Sequence, residues 1–352
     1  MPDPVARDLL SAVRAQPTAL KTLDYALESE RVHHAYLFVG PDGVGKELAA
    51  FGLAQALVCE HTRYGRGDEP TMGLFGAEPK RTRACGECSA CQRARPRDDI
   101  RRPMHPDVVV IERGLYAPQS IGKRTPETQD ISIDQVRTLV LARSAFAPHE
   151  GRAKVFIVRR ADELSVSAAN ALLKTLEEPG DRTHFILLTS QPEALLPTIL
   201  SRTQRVRFAP LPDDVVTQLL VESGVDAKRA ADIARLAAGS VEAGQVLADP
   251  EESESRDAFI EGALAATQAP GIDGVLALAE AAKKAKDQLP AYVAALASRL
   301  AARAADAARE GKPEAEAIAT RGRFALNALE HLAGNGSAQL VVEAMLTRMR
   351  SV

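Results

Sequence analysis

The sequence contains no tryptophan, and its 9 Phe and 5 Tyr amount to only 4% aromatic residues. Proteins that bind single-stranded nucleic acid commonly stack its bases on such rings, so a stacking platform is disfavoured here. The formal net charge is −3, which gives the chain no overall positive field to attract nucleic acid. Any DNA contact would therefore come from a local basic patch or through partner proteins.

Long apolar runs are also missing. No stretch approaches the roughly 20 apolar residues that a membrane helix needs. The N-terminal MPDPVARDLL lacks a basic region followed by an apolar core. We expect a cytoplasmic protein that does not associate with membranes. Its four cysteines would then face a reducing environment, where a metal site or catalysis is a better explanation than disulfides.

In the first part of the chain, short apolar runs alternate with helical patterns. This alternation predicts an α/β domain whose parallel sheet is covered by helices on both faces. Ser132 and Gln135 have the spacing of a capping box and predict the start of one helix. The predicted strands are 35–39, 107–112, 155–158, 185–190 and 205–209, and the other predicted helices are 47–59, 167–178 and 193–202.

Beyond Leu211 the strand pattern ends and the chain becomes helical, with breaks predicted at Gly224, Gly239 and Pro250. The 352 residues suffice for two or three domains. We predict an α/β domain at 1–209 that contains a cysteine-bearing insertion at 59–104. A small helical domain at 210–256 and an all-helical domain at 257–352 would follow.

The segment GPDGVGKE, Gly40 to Glu47, fits the phosphate-loop pattern G-x-x-x-x-G-K between a strand and a helix. The loop glycines, Gly40, Gly43 and Gly45, would let backbone N–H groups surround a phosphate, and Lys46 would reach the β and γ phosphates. The next position normally holds a hydroxyl that ligates Mg²⁺. Glu47 stands there instead and brings negative charge close to a triphosphate.

The second half of an ATP site is also altered, in KVFIVRRADELS at 154–165. A phosphate-loop ATPase ends this strand with an Asp that orients Mg²⁺, whereas this chain has Arg159 and Arg160. Asp162 and Glu163 follow too late, because three extended residues span about 10 Å. We interpret both acids as solvent-facing residues at a helix start, where negative charge is favourable.

Four cysteines could form a metal site. Cys85, Cys88 and Cys91 have the spacing C-x-x-C-x-x-C, and Cys59 lies at the end of the first predicted α/β helix. Four thiolates suit a tetrahedral structural Zn²⁺ with no open position. A redox pair is the alternative, but it would need a strand–helix context that this loop-rich insertion lacks.

Basic residues surround these cysteines and would either contact a DNA backbone or form a solvated face, which we rank first. His33 and His34 precede the first strand and are interpreted as structural or surface residues, because no acid or cysteine lies at ligand spacing. The basic residues are Lys80, Arg81, Arg83, Arg93, Arg95, Arg97, Arg101 and Arg102.

The segments NALLKTLEEP at 170–179 and LPTILSR at 196–202 resemble the clamp-loader branch of the AAA+ proteins. The resemblance covers about the first 250 residues and implies a RecA-like five-stranded sheet, a helical lid and a helical collar. It also implies a four-cysteine zinc module in the same place. Hydrolysing (motor) subunits of this family have KVxxxDE where this chain has KVFIVRR. They also have a Gly-Ser-x-Arg whose arginine senses the γ phosphate, where Gly239-Ser240-Val241 leads here to Glu242.

One catalytic element of the family is retained. Motor subunits carry Ser-Arg-Cys before the last strand, and its arginine reaches the ATP site of the neighbouring subunit. This chain has Ser201-Arg202-Thr203, and a guanidinium suits the neutralisation of a transferring phosphoryl group. The simpler interpretation of Arg202 is a solvated residue at a helix C-terminus.

The resemblance implies a clamp-loader subunit that does not hydrolyse ATP, with residual ATP or ADP binding left open. As part of a DNA polymerase III holoenzyme it would act as a stator and present Arg202 to a motor subunit. Its partners would be gamma/tau motor and delta subunits, the sliding clamp and, through the complex, primed DNA. An active motor ATPase and a zinc-dependent DNA-binding module remain as alternatives.

Overall fold

The computed structural model divides the chain into two compact units, Met1–Val215 and Val216–Val352. Each unit is described by itself below. The structure describes residues 8–62, 82–123, 130–150, 152–285, 288–333 and 336–352, without the side chains of 250–252 and 333.

The first unit is built on a parallel sheet of five strands in the order β4-β5-β6-β1-β7. The inner strands are almost entirely buried because helices cover both faces of the sheet. This confirms the predicted α/β fold class and all five predicted strands. The strands are β1 (Ala35–Val39), β4 (Val108–Ile111), β5 (Lys154–Val158), β6 (Thr183–Thr189) and β7 (Gln204–Arg207), and a separate antiparallel pair is formed by β2 (Pro96–Arg97) and β3 (Arg102–Pro103).

The register of the sheet brings the phosphate loop and the altered strand end to one edge. Val39 is paired with Thr189 and with Arg207, and Val158 is paired with Ile111. The carboxyl ends of parallel strands meet at the same edge, which is where open α/β sheets bind ligands. The residues that follow β1, β4 and β5 therefore line a common site.

One face of the sheet is covered by an apolar core that contains a stacked pair of rings. The rings of Phe156 and Phe185 lie 5.1 Å apart and pack with Leu172 and Leu176 of the helix after β5. The helices of this unit are α1 (Pro17–Glu28), α2 (Lys46–Val58), α3 (Ser89–Arg93), α4 (Ile133–Val136), α5 (Ala142–Ser144), α6 (Val166–Glu177) and α7 (Pro197–Leu200).

The predicted helix at 193–202 is wrong as a single element. The structure has a 3₁₀ turn at Pro192–Ala194 and then the short helix α7. Leu195 and Leu196 between them are extended, with ψ of 148° and 136°. Proline disfavours the helical conformation of the residue before it, so Pro197 starts a new helix instead of continuing the old one.

Only half of the predicted capping box forms at α4. The Ser132 hydroxyl accepts a hydrogen bond from the Gln135 N–H at 3.3 Å, but the Gln135 side chain donates to the Glu112 carbonyl at 2.8 Å. The helix also widens into a π-turn at Arg137–Leu141 before α5. In the predicted insertion at 59–104, residues 63–81 lie outside the described residues, and α3, β2 and β3 form the rest.

The second unit is helical throughout its described residues, as predicted. Left-handed Gly224 and Gly239, with φ of 99° and 79°, separate helices at the predicted breaks, and Pro250 begins a new one. The three-domain division remains a prediction, and its second boundary at 256/257 falls inside α11. The helices are α8 (Asp213–Glu222), α9 (Ala227–Leu236), α10 (Val241–Ala248), α11 (Pro250–Gln268), α12 (Asp273–Lys284), α13 (Leu289–Arg309), α14 (Ala315–Ala333) and α15 (Ala338–Arg350).

Among the described residues, no helix has both the length and the apolar character required to cross a membrane.

Gly40 allows a close approach between the phosphate loop and the residue after β7. A Cβ at this position would overlap the carbonyl oxygen of Phe208. We expect Gly40→Ala to destabilise the protein by about 1–3 kcal/mol because the backbone must shift. Urea unfolding measures this change. Gly322→Ala in α14, where the nearest atom is 3.7 Å away, serves as the control, and an equal effect of both variants would contradict the packing argument.

Candidate functional site

The phosphate-loop lysine is bonded to its own loop. Gly45, with φ of 97°, caps α2, and Lys46 is the first residue of that helix. The Lys46 ammonium is buried and donates to the carbonyl oxygens of Gly40 and Pro41 at 2.6 and 2.5 Å. It also forms an ion pair of 3.1 Å with Asp42. The positive charge that would bind phosphate is therefore balanced within the loop.

Arg159 lies at the end of β5 between two carboxylates. Its guanidinium forms an ion pair with Glu47, and it forms a second one with Glu112 at 2.7 Å. It also donates to the carbonyl oxygen of Arg101 at 2.9 Å and lies 5.6 Å from the ring centroid of Phe51. The Arg159 side chain is only 8% exposed, so this cation is part of the interior.

The two departures from the ATPase pattern are complementary, because one introduces a negative charge and the other a positive charge next to it. Glu47 stands where a metal-binding hydroxyl is expected, and Arg159 stands where a metal-binding carboxylate is expected. In the structure these two side chains bind each other. The Arg159 guanidinium places positive charge between the two elements, and the residues directly after β5, Arg159 and Arg160, offer no carboxylate to ligate Mg²⁺.

The two later acids are engaged elsewhere. They lie in a 3₁₀ turn after Arg160, a residue in the left-handed conformation with φ of 47°. Asp162 accepts a hydrogen bond from the Thr189 hydroxyl at 2.5 Å, and Glu163 pairs with Arg113 at 3.2 Å. They are half-buried and bonded, rather than solvent-facing as the sequence suggested.

The four cysteines come together as predicted. The sulfur atoms of Cys59, Cys85, Cys88 and Cys91 all lie within 4.8 Å of one another. Cys59 follows α2 directly, and the other three lie at the start of the α3 segment. All four side chains are buried. Such a cluster could bind a metal ion.

The surroundings of the cluster suit thiolates. Backbone N–H groups donate to its sulfurs, among them Cys85 to Cys59 at 3.3 Å and Cys91 to Cys88 at 3.4 Å. The hydrogen bond from the Cys91 thiol, supported by the N–H groups of Cys85 and His61, lowers the pKa of Cys59 to about 5 despite its burial. Hydrogen bonds to the charged form favour that form, so Cys59 is the favoured thiolate, whereas burial raises the pKa of Cys88 and the hydrogen bond to Cys59 raises that of Cys91.

The cysteine cluster is attached to the α/β domain by buried polar contacts. Gln55 of α2 donates to the carbonyl oxygen of Cys91 at 3.1 Å, and Arg152 donates to that of Cys59 at 2.5 Å. The cluster is therefore bonded to α2, the helix that begins at the phosphate loop. Elsewhere in this unit, the His149 and Glu150 N–H groups donate to the buried carboxylate of Asp107.

The basic residues around the cysteines are mostly paired. Arg83 binds Asp24 and Arg93 binds Glu150, each through two hydrogen bonds of 2.6–2.9 Å. These contacts agree better with the solvated face that is ranked first than with a DNA-binding patch. Arg97 binds Asp99, Arg101 binds Glu112, Arg102 lies 5.0 Å from the ring centroid of Tyr116, Arg95 also has a partner, and Lys80 and Arg81 are outside the described residues.

Arg202 lies on the surface just after α7, before the edge strand β7. Its guanidinium forms an ion pair of 2.5 Å with Glu177 at the end of α6 and donates to the carbonyl oxygen of Thr198 at 3.0 Å. A shallow groove of about 510 Å³ runs beside it. The groove is lined by His33, His34, Leu176, Glu177, Ser201, Arg202, Thr203 and Gln204.

Residues near Arg202 are fixed by hydrogen bonds to nearby backbone carbonyl groups. The Thr203 hydroxyl donates to the carbonyl oxygen of Ile199 at 3.0 Å, which shows how threonine packs where the family pattern has cysteine. The rings of His33 and His34 stack 4.3 Å apart, and the His33 Nδ1 lies 2.8 Å from the Ala35 carbonyl oxygen. These contacts support the structural interpretation of the two histidines.

In the second unit, the Gly-Ser segment forms a helix cap. The Ser240 hydroxyl accepts a hydrogen bond from the Ala243 N–H at 3.1 Å, and Glu242 lies in the first turn of α10. An acid is favourable in that turn because of the helix dipole. The segment therefore forms a stable helix start with no cation at the position of the family's sensor arginine.

The sequence interpretation missed two acidic residues, Glu112 and Glu177, and it missed the pairing of Glu47 with Arg159. The opposite charges of Glu47 and Arg159, at positions that meet in any phosphate-loop domain, were a signal that could have predicted their pairing. Glu112 immediately follows β4 and could have been placed at the same edge. Glu177 gave no signal, because nothing in its spacing connects it with Arg202.

Residues 15–212 match the protein family described as "DNA polymerase III, delta subunit". The chain is 32% identical over 241 residues to the delta′ subunit of DNA polymerase III from Bacillus subtilis (strain 168), across 68% of this chain and 62% of that protein. It is 38% identical over 179 residues to the delta′ subunit from Pseudomonas aeruginosa, across 51% of this chain and 44% of that protein. The tau subunit of Bacillus subtilis is 37% identical over 196 residues, across 56% and 28%.

The matched region thus spans between about a quarter and three fifths of these relatives. Among solved structures, a DNA polymerase III gamma subunit-related protein from Thermotoga maritima aligns with 94% of this chain at 17% identity and a TM-score of 0.39.

The pairing of Arg159 can be tested by its removal. Arg159→Ala leaves Glu47 and Glu112 without their common cation, so we expect a loss of about 2–4 kcal/mol in the free energy of unfolding. Arg97→Ala, which breaks an exposed pair with Asp99, should cost less than about 1 kcal/mol. Chemical denaturation measures both. Similar small losses in both variants would show that the buried pair does not stabilise the site.

Proposed function

Because this chain belongs to the DNA polymerase III delta-subunit family, we propose that it is a clamp-loader subunit of delta′ type that does not hydrolyse ATP itself. It would work in the cytoplasm as part of a polymerase holoenzyme, beside a gamma/tau motor subunit and a delta subunit. Its task would be that of a stator, which holds its shape while the assembly places a sliding clamp on primed DNA.

The observation that best supports this proposal is the pairing of Arg159 with Glu47 and Glu112. Hydrolysis of ATP in this class of site requires Mg²⁺ and a carboxylate at the strand end. Here the strand end is cationic, and the carboxylate of Glu47 would approach the triphosphate without a metal between them. Both changes oppose the binding and activation of Mg²⁺-ATP.

Arg202 would act on ATP bound to the neighbouring motor subunit. A guanidinium offers several N–H donors in one plane and stays charged, which suits the oxygens of a phosphoryl group in transfer. The Arg202 side chain is 33% exposed, so a neighbouring chain can approach it. The phosphate loop, by contrast, would be retained because it is part of the fold. Gly40 packs against Phe208, and Lys46 donates a hydrogen bond to the carbonyl oxygen of Gly40.

Zinc is the metal that the cysteine cluster would hold. A tetrahedral site with Zn–S bonds of about 2.3 Å places its sulfurs about 3.8 Å apart. The Cys85–Cys91 and Cys59–Cys88 sulfur distances are 3.8 and 4.0 Å. With four thiolates there is no open coordination position, so the ion would stabilise the insertion and would take no part in catalysis.

The helical part of the chain would serve assembly. We assign residues 210–256 to a lid and 257–352 to a collar through which the subunits associate. The core of this part is formed by residues such as Phe259, Tyr292 and Leu296, and Leu326 and Leu340 stay exposed.

ATP turnover tests the proposed division of labour. The chain alone with Mg²⁺ should show no turnover, and adding it to motor and delta subunits, clamp and primed DNA should stimulate hydrolysis. Arg202→Ala should slow hydrolysis at the adjacent motor site by a factor on the order of 10³. Total turnover should then fall by the fraction that this one site contributes. Arg205→Ala, an exposed arginine on β7, is the control.

Turnover by the chain alone that disappears in Lys46→Ala would overturn the proposal, since the site would then be an active one. Stimulation that is unchanged in Arg202→Ala would leave a silent subunit but refute the role of Arg202.

Metal content tests the cysteine cluster. The purified chain should contain one zinc ion, and Cys88→Ser should lose it and melt about 5–10 °C lower. Ser89→Ala changes the next residue, which is exposed, and should keep the metal. Elemental analysis and a thermal melt give the two readings. A fully stable protein without zinc would refute a structural metal.

A further inference from the structure

We infer that Glu177 is a positioning residue for Arg202, which it holds in a withdrawn conformation until a phosphate replaces its carboxylate. This inference rests on the proposed function of Arg202. It assigns a role to a residue that lies 25 positions earlier in the chain, at the end of α6.

The guanidinium of Arg202 is folded back on its own chain. One nitrogen donates to the carbonyl oxygen of Thr198, four residues earlier, at 3.0 Å, and to the Ser201 hydroxyl at 3.2 Å. The other nitrogen pairs with Glu177 at 2.5 Å. An arginine that reaches into another subunit must extend away from its helix, so this conformation is not the reaching one.

The position of Glu177 is not explained by the stability of its own helix. It is the last residue of α6, and another acid, Glu178, follows it. Negative charge at a helix C-terminus is unfavourable because it faces the negative end of the helix dipole. The favourable partner of Glu177 is Arg202, and their pairing joins the ends of α6 and α7.

The Glu177–Arg202 ion pair is weak enough for a phosphate to replace the carboxylate. The Glu177 and Arg202 side chains are 46% and 33% exposed, and ion pairs at such exposure are weak because water screens them. A terminal phosphate carries more negative charge than a carboxylate and offers several acceptor oxygens, so it can displace Glu177. Before that exchange, the carboxylate largely cancels the positive charge that Arg202 presents to a distant ligand.

Chemical modification of arginine tests the pairing without any partner protein. Phenylglyoxal reacts with accessible guanidinium groups, and peptide mass spectrometry measures the rate at Arg202. We expect Glu177→Gln to react roughly two- to fivefold faster than the wild type. Glu178→Gln makes the same charge change one residue further along and should react at the wild-type rate. Equal rates in all three proteins would overturn the inference.

ATP turnover in the complete complex tests the consequence. With Glu177→Gln, the concentration of this chain that gives half-maximal stimulation should fall roughly two- to fivefold at low salt, and the difference should shrink at 0.5 M salt. The maximal rate should stay within about twofold, because the same arginine acts once the exchange is complete. A lower maximal rate would mean that Glu177 supports the reaching conformation, and it would overturn the inference.

Failure of the two proposals gives different results. If Arg202→Ala leaves turnover unchanged while Glu177→Gln still exposes Arg202 to phenylglyoxal, the pairing stands and the proposed function of Arg202 fails. If Arg202→Ala slows turnover and Glu177→Gln changes neither measurement, the proposed function stands and the positioning role of Glu177 fails.

Discussion

The guanidinium of Arg159 lies between the carboxylates of Glu47 and Glu112 at the C-terminal edge of the sheet, and the organisation of the first unit depends on this contact. It connects the start of α2 with the ends of β4 and β5. In an ATPase, a nucleotide and its metal would join these elements. Here the Arg159 side chain joins them through its two ion pairs. This is the property that a subunit of fixed shape requires.

The cysteine cluster and the phosphate loop lie at opposite ends of the helix α2. α2 starts at Lys46 in the loop and ends next to Cys59 in the cluster. Between them, Gln55 is buried and bonds to the carbonyl oxygen of Cys91. An ion in the cluster would therefore stiffen the helix that also carries Glu47. The metal and the ion pair would then both restrain the position of α2.

Much of the first unit could be predicted from the sequence. The alternation of apolar runs and helices gave all five strands, and cysteine spacing gave the cluster, because both depend on local patterns. Helix boundaries near Pro197 were predicted less well, since the conformation of Leu196 is set by the proline that follows it. The pairs Arg159–Glu47 and Arg202–Glu177 were not predicted. They join residues 112 and 25 positions apart, and only the folded topology brings such residues together.

The ion pair of Arg159 and Glu47 also has a consequence for the history of such a chain. A return to the ATPase pattern would require both charges to change, and a change of Glu47 or Arg159 alone removes this ion pair and leaves the other residue in place. Every single step backwards would thus pass through a less stable protein. The proposed loss of hydrolysis would then be difficult to reverse, even though the glycines and the lysine of the loop are still in place. The pair would make the change hard to reverse one substitution at a time.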